Sequence, residues 1–171
     1  MTRPTSEVLA DRARRLARTD SGSRQPGETM LCFCLGEERF LTGLRSVREV
    51  APVQSIIPIQ GLPAVYAGLT NVRGAVVPVF DLRVALTVRG PRPERATHVI
   101  IVDASDSPAG IWVDRLEGLV SMDPSSLHQD HGPAGPWFLG RTPDLATVID
   151  PGALLAAARA DAIRIHPPEE A

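Results

Sequence analysis

The sequence contains no lysine, and each of its 18 basic residues is an arginine. A chain without lysine cannot form a Schiff base with a carbonyl substrate and cannot supply the lysine of a P-loop. Aromatic residues make up only 4% of the chain, which limits any surface on which nucleic-acid bases could stack. The net charge of -2 gives no overall basic field that would attract a phosphate backbone. These absences disfavour nucleic acid and make proteins the expected partners.

Long apolar runs are also missing. No segment approaches the roughly 20 apolar residues that a membrane helix needs, and the first residues are polar where a signal peptide would be apolar. The sequence therefore predicts a cytoplasmic protein without direct membrane insertion.

Metal-ligating residues are few and scattered. Cys32 and Cys34 stand in one apolar, strand-like run, with no second pair of ligands nearby in sequence to complete a zinc site. We interpret them as small core hydrophobes. The histidines lack the spacing of a helical metal pair; they are His98, His128, His131 and His166. We expect no metal and no cofactor.

The chain divides by composition into an arm, a body and a tail. Residues 6–18 have the pattern of a short basic amphipathic helix, and a linker rich in Ser, Gly and Gln follows it. We predict an N-terminal helical arm and linker over 1–29, a folded body over 30–160 and a C-terminal tail over 161–171.

The body has the pattern of a β protein. Short apolar runs are separated by turns, and 16 prolines with 14 glycines suit barrels better than a helical bundle. The pattern predicts strands near 30–35, 39–44, 67–72, 75–80, 97–103, 109–114, 116–121 and 145–149, followed by a helix over 153–160. The segment 121–136 is predicted to be a loop.

The body also looks duplicated. An offset of 69 positions aligns its halves, so that Val79 matches Val148 and Asp81 matches Asp150. Each half reads as a series of strands that ends in an aspartate before a helical turn. We expect each aspartate to accept backbone hydrogen bonds there.

The segment from Ala67 to Arg83, AGLTNVRGAVVPVFDLR, resembles the signature of the CheW family. Val47-Arg48-Glu49-Val50 upstream and Gly110 to Gly118 downstream are similar to further motifs of that family. The resemblance spans residues 30–158.

Membership of this family implies a fold and a function. The implied fold is mainly β, with two SH3-like five-stranded β-barrels in tandem and short helices, approximately 30–90 for the first barrel and 91–160 for the second. The implied function is that of a non-enzymatic adaptor. Its partners would be the cytoplasmic tip of a chemoreceptor and the regulatory domain of a CheA-type histidine kinase, and the resemblance also allows other CheW-like domains in an array.

The resemblance places partner-binding residues on the first barrel: Val47, Glu49, Gly68, Asn71 and Arg73. The residues themselves support part of this prediction. Arg73 lies in a turn that needs no guanidinium, and its planar fork suits a carboxylate such as Glu49. We therefore expect Glu49 and Arg73 to meet, against the alternative of two unrelated solvated charges.

Two other functions stay open at this point. Asp81 and Asp150 stand at equivalent positions of two β-rich halves, as in a paired-carboxylate protease, but neither is followed by the Ser/Thr-Gly that such sites use. The other alternative is an SH3-like module outside chemotaxis that binds proteins, or nucleic acid through the arginine-rich arm.

Overall fold

The computed structural model describes residues 27–53, 55–90, 98–104, 107–129 and 135–165, with the backbone alone at 104 and 161–165. The predicted arm helix and most of the linker and tail lie outside these residues. Within them the chain is mainly β, as predicted, with ten strands, two α-helices and two 3-10 turns at Leu44–Ser46 and Pro124–Ser126.

The strands form two five-stranded sheets. Sheet A has the order β8-β1-β2-β10-β9. Its strands are β1 (Glu28–Leu35), β2 (Glu38–Gly43), β8 (Arg115–Met122), β9 (Phe138–Arg141) and β10 (Thr147–Ile149). Sheet B has the order β3-β6-β7-β5-β4. Its strands are β3 (Glu49–Pro52), β4 (Tyr66–Val72), β5 (Ala75–Phe80), β6 (His98–Ala104) and β7 (Ser107–Val113).

The strand registers confirm the duplication. Phe33 lies opposite Phe40 in sheet A, and Val102 lies opposite Ala109 in sheet B, 69 positions further along the chain. The parallel pairs repeat in the same way, with Val148 beside Leu41 and Val79 beside Gly110. The five strands of each half therefore occupy matching places.

The halves are interleaved, however, and this corrects the predicted division into barrels at about residue 90. Sheet A takes β1 and β2 from the first half and three strands from the second, while sheet B takes β3, β4 and β5 from the first half. The chain crosses from one sheet to the other between β2 and β3 and again between β7 and β8. Apolar periodicity predicts where strands lie, but it does not specify which strands pair.

The alternation of side chains along β1 fills two cores at once. Leu31, Phe33 and Leu35 face the core that the two sheets share. Met30 and Cys32 face a smaller core of sheet A, and sheet B has a matching small core that contains Val99 and Ile101. The two barrels therefore form one continuous body with the largest core between them.

Two helices complete the shared core. α1 (Leu82–Leu86) follows β5 and α2 (Pro151–Ile165) follows β10, where the sequence predicted a helix. Asp81 accepts the backbone N–H of Arg83 at 3.1 Å, and Asp150 accepts that of Ala153 at 3.0 Å, which confirms the predicted role of both aspartates. No helix in the described part of the chain is long and apolar enough to cross a membrane.

In its described part, residues 121–129 and 135–136, the predicted loop over 121–136 is more regular than expected. A 3-10 turn begins after Asp123, which accepts the backbone N–H of Ser125 at 2.9 Å. His128 then forms an isolated bridge to Arg141 of β9, a strand that the sequence did not predict. Because β9 has only four residues, it is too short for a clear alternating pattern.

Candidate partner-binding surface

Glu49 and Arg73 meet, as the sequence predicted. The Nε of Arg73 donates to Oε2 of Glu49 at 2.7 Å. Glu49 is the first residue of β3, whereas Arg73 lies in the turn between β4 and β5, so the contact joins strands from opposite edges of sheet B. The Arg73 side chain is 83% exposed and that of Glu49 is 26% exposed. The pair thus keeps its charges accessible at the surface.

The turn that carries Arg73 is fixed by its own sequence. Oδ1 of Asn71 accepts the backbone N–H of Gly74 at 2.9 Å. Arg73 and Gly74 both have positive φ, 52° and 87°, and glycine adopts this conformation without steric cost. The predicted site residue Asn71 therefore orients the turn, and it is itself exposed.

Gly68 differs from the other predicted residues because it is buried. Its φ is 140°, and a Cβ atom built on it would lie 2.1 Å from the carbonyl oxygen of Ile57. The segment that approaches it pairs with β4, since Ile57 and Leu69 exchange backbone hydrogen bonds of 2.8 and 2.9 Å. Gly68 is therefore not placed to touch a partner directly.

Val47 is half-buried and packs against the core shared by the sheets. It follows the 3-10 turn in which the chain crosses from sheet A to sheet B, and its N–H donates to the carbonyl of Leu44 at 3.1 Å. Its neighbour Arg48 donates its backbone N–H to Ile101 at 2.8 Å. Val47 thus fixes the start of β3, from which Glu49 projects.

Two exposed apolar side chains beside these residues were missed in the sequence. Ile57 is 66% exposed and Val76 is 67% exposed. Val76 lies opposite Asn71 in the hairpin of β4 and β5. Its outward position follows from strand alternation, because Val77 is buried, but nothing in the sequence signals the exposure of Ile57. We define the hairpin surface as Glu49, Ile57, Asn71, Arg73 and Val76.

A second polar cluster lies at the small core of sheet A, to which Cys32 belongs. The thiols of Cys32 and Cys34 each contact the carboxylate of Glu117, at 3.4 and 3.3 Å. Glu117 also accepts hydrogen bonds from Arg39 at 2.8 Å and from Arg115 at 3.0 Å. We name these five residues the thiol cluster. Both cysteines are buried, as the interpretation as core residues required, but their polar contacts were not predicted.

The charges of the thiol cluster shift its titration. Hydrogen bonds from Arg115 and then Arg39 lower the pKa of Glu117 to about 2. Burial is the largest cause that raises the pKa of both thiols, and the hydrogen bond to Glu117 is the next. Protonated thiols are poor nucleophiles and poor metal ligands. Among the described residues, no group of three or more His, Cys, Asp or Glu side chains could hold a metal ion.

Comparisons with known proteins place the chain in a family. The family model described as "CheW-like domain" matches residues 29–159. The "Chemotaxis protein CheW" of Klebsiella aerogenes is 31% identical over 96 residues, which are 56% of this chain and 58% of that protein. The protein of the same name from Helicobacter pylori is 24% identical over 126 residues, or 71% of this chain and 76% of that protein.

A solved structure has the same fold. The scaffolding protein TtCheW from Thermoanaerobacter tengcongensis superposes with a TM-score of 0.64 at 25% identity, covering 75% of this chain and 92% of that one. The chain spans about three fifths of the length of the first curated relatives that it matches, 58% and 62%. Since the family model covers most of the chain, this protein belongs to the CheW-like domain family.

Proposed function

We propose that this chain is a non-enzymatic adaptor that couples chemoreceptors to a CheA-type histidine kinase in chemosensory signalling. Family membership supports this proposal, as do the names of relatives that are called chemotaxis proteins and the solved relative that is called a scaffolding protein. In this proposal the partners are the cytoplasmic tip of the receptor and the regulatory domain of the kinase.

The observation that carries the proposal is the contact between Glu49 and Arg73. An ion pair with one side chain 83% exposed contributes only about 0–1 kcal/mol to stability, so it is a weak structural element. The fold therefore loses little stability if a partner separates the two side chains, and the partner can form an ion pair with either charge. The exposed Val76 beside it supplies an apolar contact of the kind found at the centre of protein interfaces.

The test is a titration of charge-reversal variants against two probes, the isolated kinase regulatory domain and a receptor-tip fragment. Glu49→Arg and Arg73→Glu should each weaken binding to at least one probe tenfold or more, with a thermal melt close to that of the wild type. Glu37→Arg, a reversal in the exposed turn between β1 and β2, is the matched control and should bind normally.

The double swap distinguishes two arrangements. If the pair acts as a unit, Glu49→Arg combined with Arg73→Glu should recover part of the lost affinity; if each residue contacts its own partner group, the losses should add. Wild-type binding by both single variants would refute the proposal for this surface. A failure of the wild-type chain to bind either probe would refute the function.

A further inference from the structure

We infer that Gly68 is a positioning residue: its missing side chain seats the segment 55–59 on β4, so that Ile57 completes the binding surface of Glu49 and Arg73. This inference rests on the proposed function. We call residues 55–59 the strap. The strap is part of the connection between β3 and β4, and it is the element through which Gly68 would act.

The fit between Gly68 and the strap is closer than any side chain permits. A Cβ atom at residue 68 would lie 2.1 Å from the carbonyl oxygen of Ile57 and 2.9 Å from Cα of Pro58. Both are backbone atoms, so the clash cannot be relieved by a change of rotamer. The φ of 140° adds a second reason for glycine, because L-residues rarely adopt it. Glycine here is required by the strap.

The strap is held at two points. Ile57 exchanges two backbone hydrogen bonds with Leu69, and the hydroxyl of Thr70 donates to the carbonyl of Ser55 at 2.8 Å. Neither point uses the side chain of Ile57, which is 66% exposed. The fold therefore needs the backbone of Ile57 but not its large apolar side chain.

The second half of the chain provides an internal comparison. Gly140 of β9 has a φ of 142°, and a Cβ built on it would lie 3.1 Å from the carbonyl oxygen of His128. His128 forms the same kind of bridge, to Arg141, that Ile57 forms to Leu69. The close approach of a bridging segment to a glycine thus occurs in both sheets, but the bridging residue is the polar His128 in sheet A and the apolar Ile57 in sheet B. An exposed isoleucine is therefore not a demand of the architecture.

The strap and the ion pair border one surface. Leu69, which pairs with Ile57, is four residues from Arg73 along the same hairpin, a distance of about 13 Å at the rise of a strand. This distance is well within one protein interface of standard size, about 800 Å² per partner. Ile57 can therefore be covered by the same partner that contacts Glu49 and Arg73.

The charges of this surface indicate the chemistry of the occupant. Residues 55–63 contain no charged side chain, and they expose Ile59 and Leu62 as well as Ile57. Glu49 and Arg73 pair with each other, so their charges compensate. The partner surface that fits residues 55–63 is an uncharged cluster of apolar side chains, because a charged group would lose its water here without gaining a counter-charge. It belongs to the same protein that binds the ion pair.

The decisive variant is Ile57→Ser, which keeps the strap backbone and removes the apolar side chain. It is titrated against whichever of the two probes, kinase regulatory domain or receptor tip, loses affinity for Glu49→Arg. We expect binding to fall tenfold or more while the thermal melt stays close to that of the wild type. The matched control is Leu139→Ser, at an exposed leucine of β9, which should bind normally.

The glycines supply the second arm. Binding of both variants is measured well below their melting temperatures. Gly68→Ala should reduce binding. Gly140→Ala, at the glycine of sheet A with nearly the same φ, should lower the melting temperature without reducing binding. Wild-type affinity in Ile57→Ser, with Glu49→Arg impaired, would overturn this inference and leave the proposed function intact. Equal binding losses in the two glycine variants would also overturn it, because the effect would then be general destabilisation.

Discussion

Arg83 of α1 forms an ion pair with Asp114, the residue at which the chain passes from sheet B to sheet A. Their side chains are only 9% and 13% exposed. The carboxylate of Asp114 also accepts the backbone N–H of Gly36, and its own N–H donates to the carbonyl of Cys34 at 3.0 Å. The crossing is thereby tied to both sheets.

Removing one partner of this pair should be strongly destabilising. Asp114→Ala removes the carboxylate that pairs with the largely buried Arg83 guanidinium, and losing one partner of a buried ion pair typically costs about 3–5 kcal/mol. Urea denaturation measures the free energy of unfolding. The control is Arg45→Ala, at the equivalent position of the first crossing, where the exposed side chain should cost less than about 0.5 kcal/mol. A loss at Asp114 as small as that of the control would contradict the account.

The sequence predicted the features of the structure that depend on residues close together along the chain. The positions of all strands except β3 and β9, the capping roles of Asp81 and Asp150 and the contact between Glu49 and Arg73 followed from local pattern or from the family motif. Gly68 was predicted as a partner-binding residue from the family motif, but its contact with Ile57 could not be predicted, because it depends on how the strap folds back on β4.

Features that depend on distant pairings were not predicted. Glu117 meets Cys34 only because β8 pairs with β1, which brings together residues 83 positions apart. A register shift between Cys32 and Phe33 accompanies this pairing. The same pattern of apolar residues is compatible with many strand pairings, so the apolar periodicity of the sequence could not predict the thiol cluster.

Glu117 should make stability depend on pH in acid. Its folded pKa of about 2 lies below its usual value of 4.5, so its contribution is complete above about pH 4.5 and is lost as pH falls toward 2. Thermal melts from pH 2 to pH 6 should show a smaller acid loss for Glu117→Gln than for the wild type. Glu37→Gln, an exposed carboxylate in a turn, should follow the wild-type profile. Parallel profiles for all three proteins would refute this role.

The thiols of Cys32 and Cys34 should be unreactive in the folded protein. Both side chains are fully buried, and burial and Glu117 keep the pKa of each thiol raised. A thiol-specific disulfide reagent at pH 8 should therefore label Cys32 and Cys34 only after denaturation. Glu117→Ala should speed labelling of the folded protein, since it opens the end of the sheet A core. Rapid labelling of both thiols in the native wild type would show that the cluster does not shield them.

Neither half of the chain should fold alone, because neither contains a complete sheet. Residues 27–90 carry β1 to β5, which leaves sheet A without β8, β9 and β10 and sheet B without β6 and β7, the two strands that lie between β3 and β5. Separate expression of 27–90 and 91–165 should give chains without a cooperative melt. Co-expression should restore one, since each half supplies the strands that the other lacks, and the shared core can form only from both. The intact chain serves as the reference for circular dichroism and for the melt. A cooperative transition in either isolated half would mean that a barrel can form from consecutive strands, and it would overturn the interleaved topology.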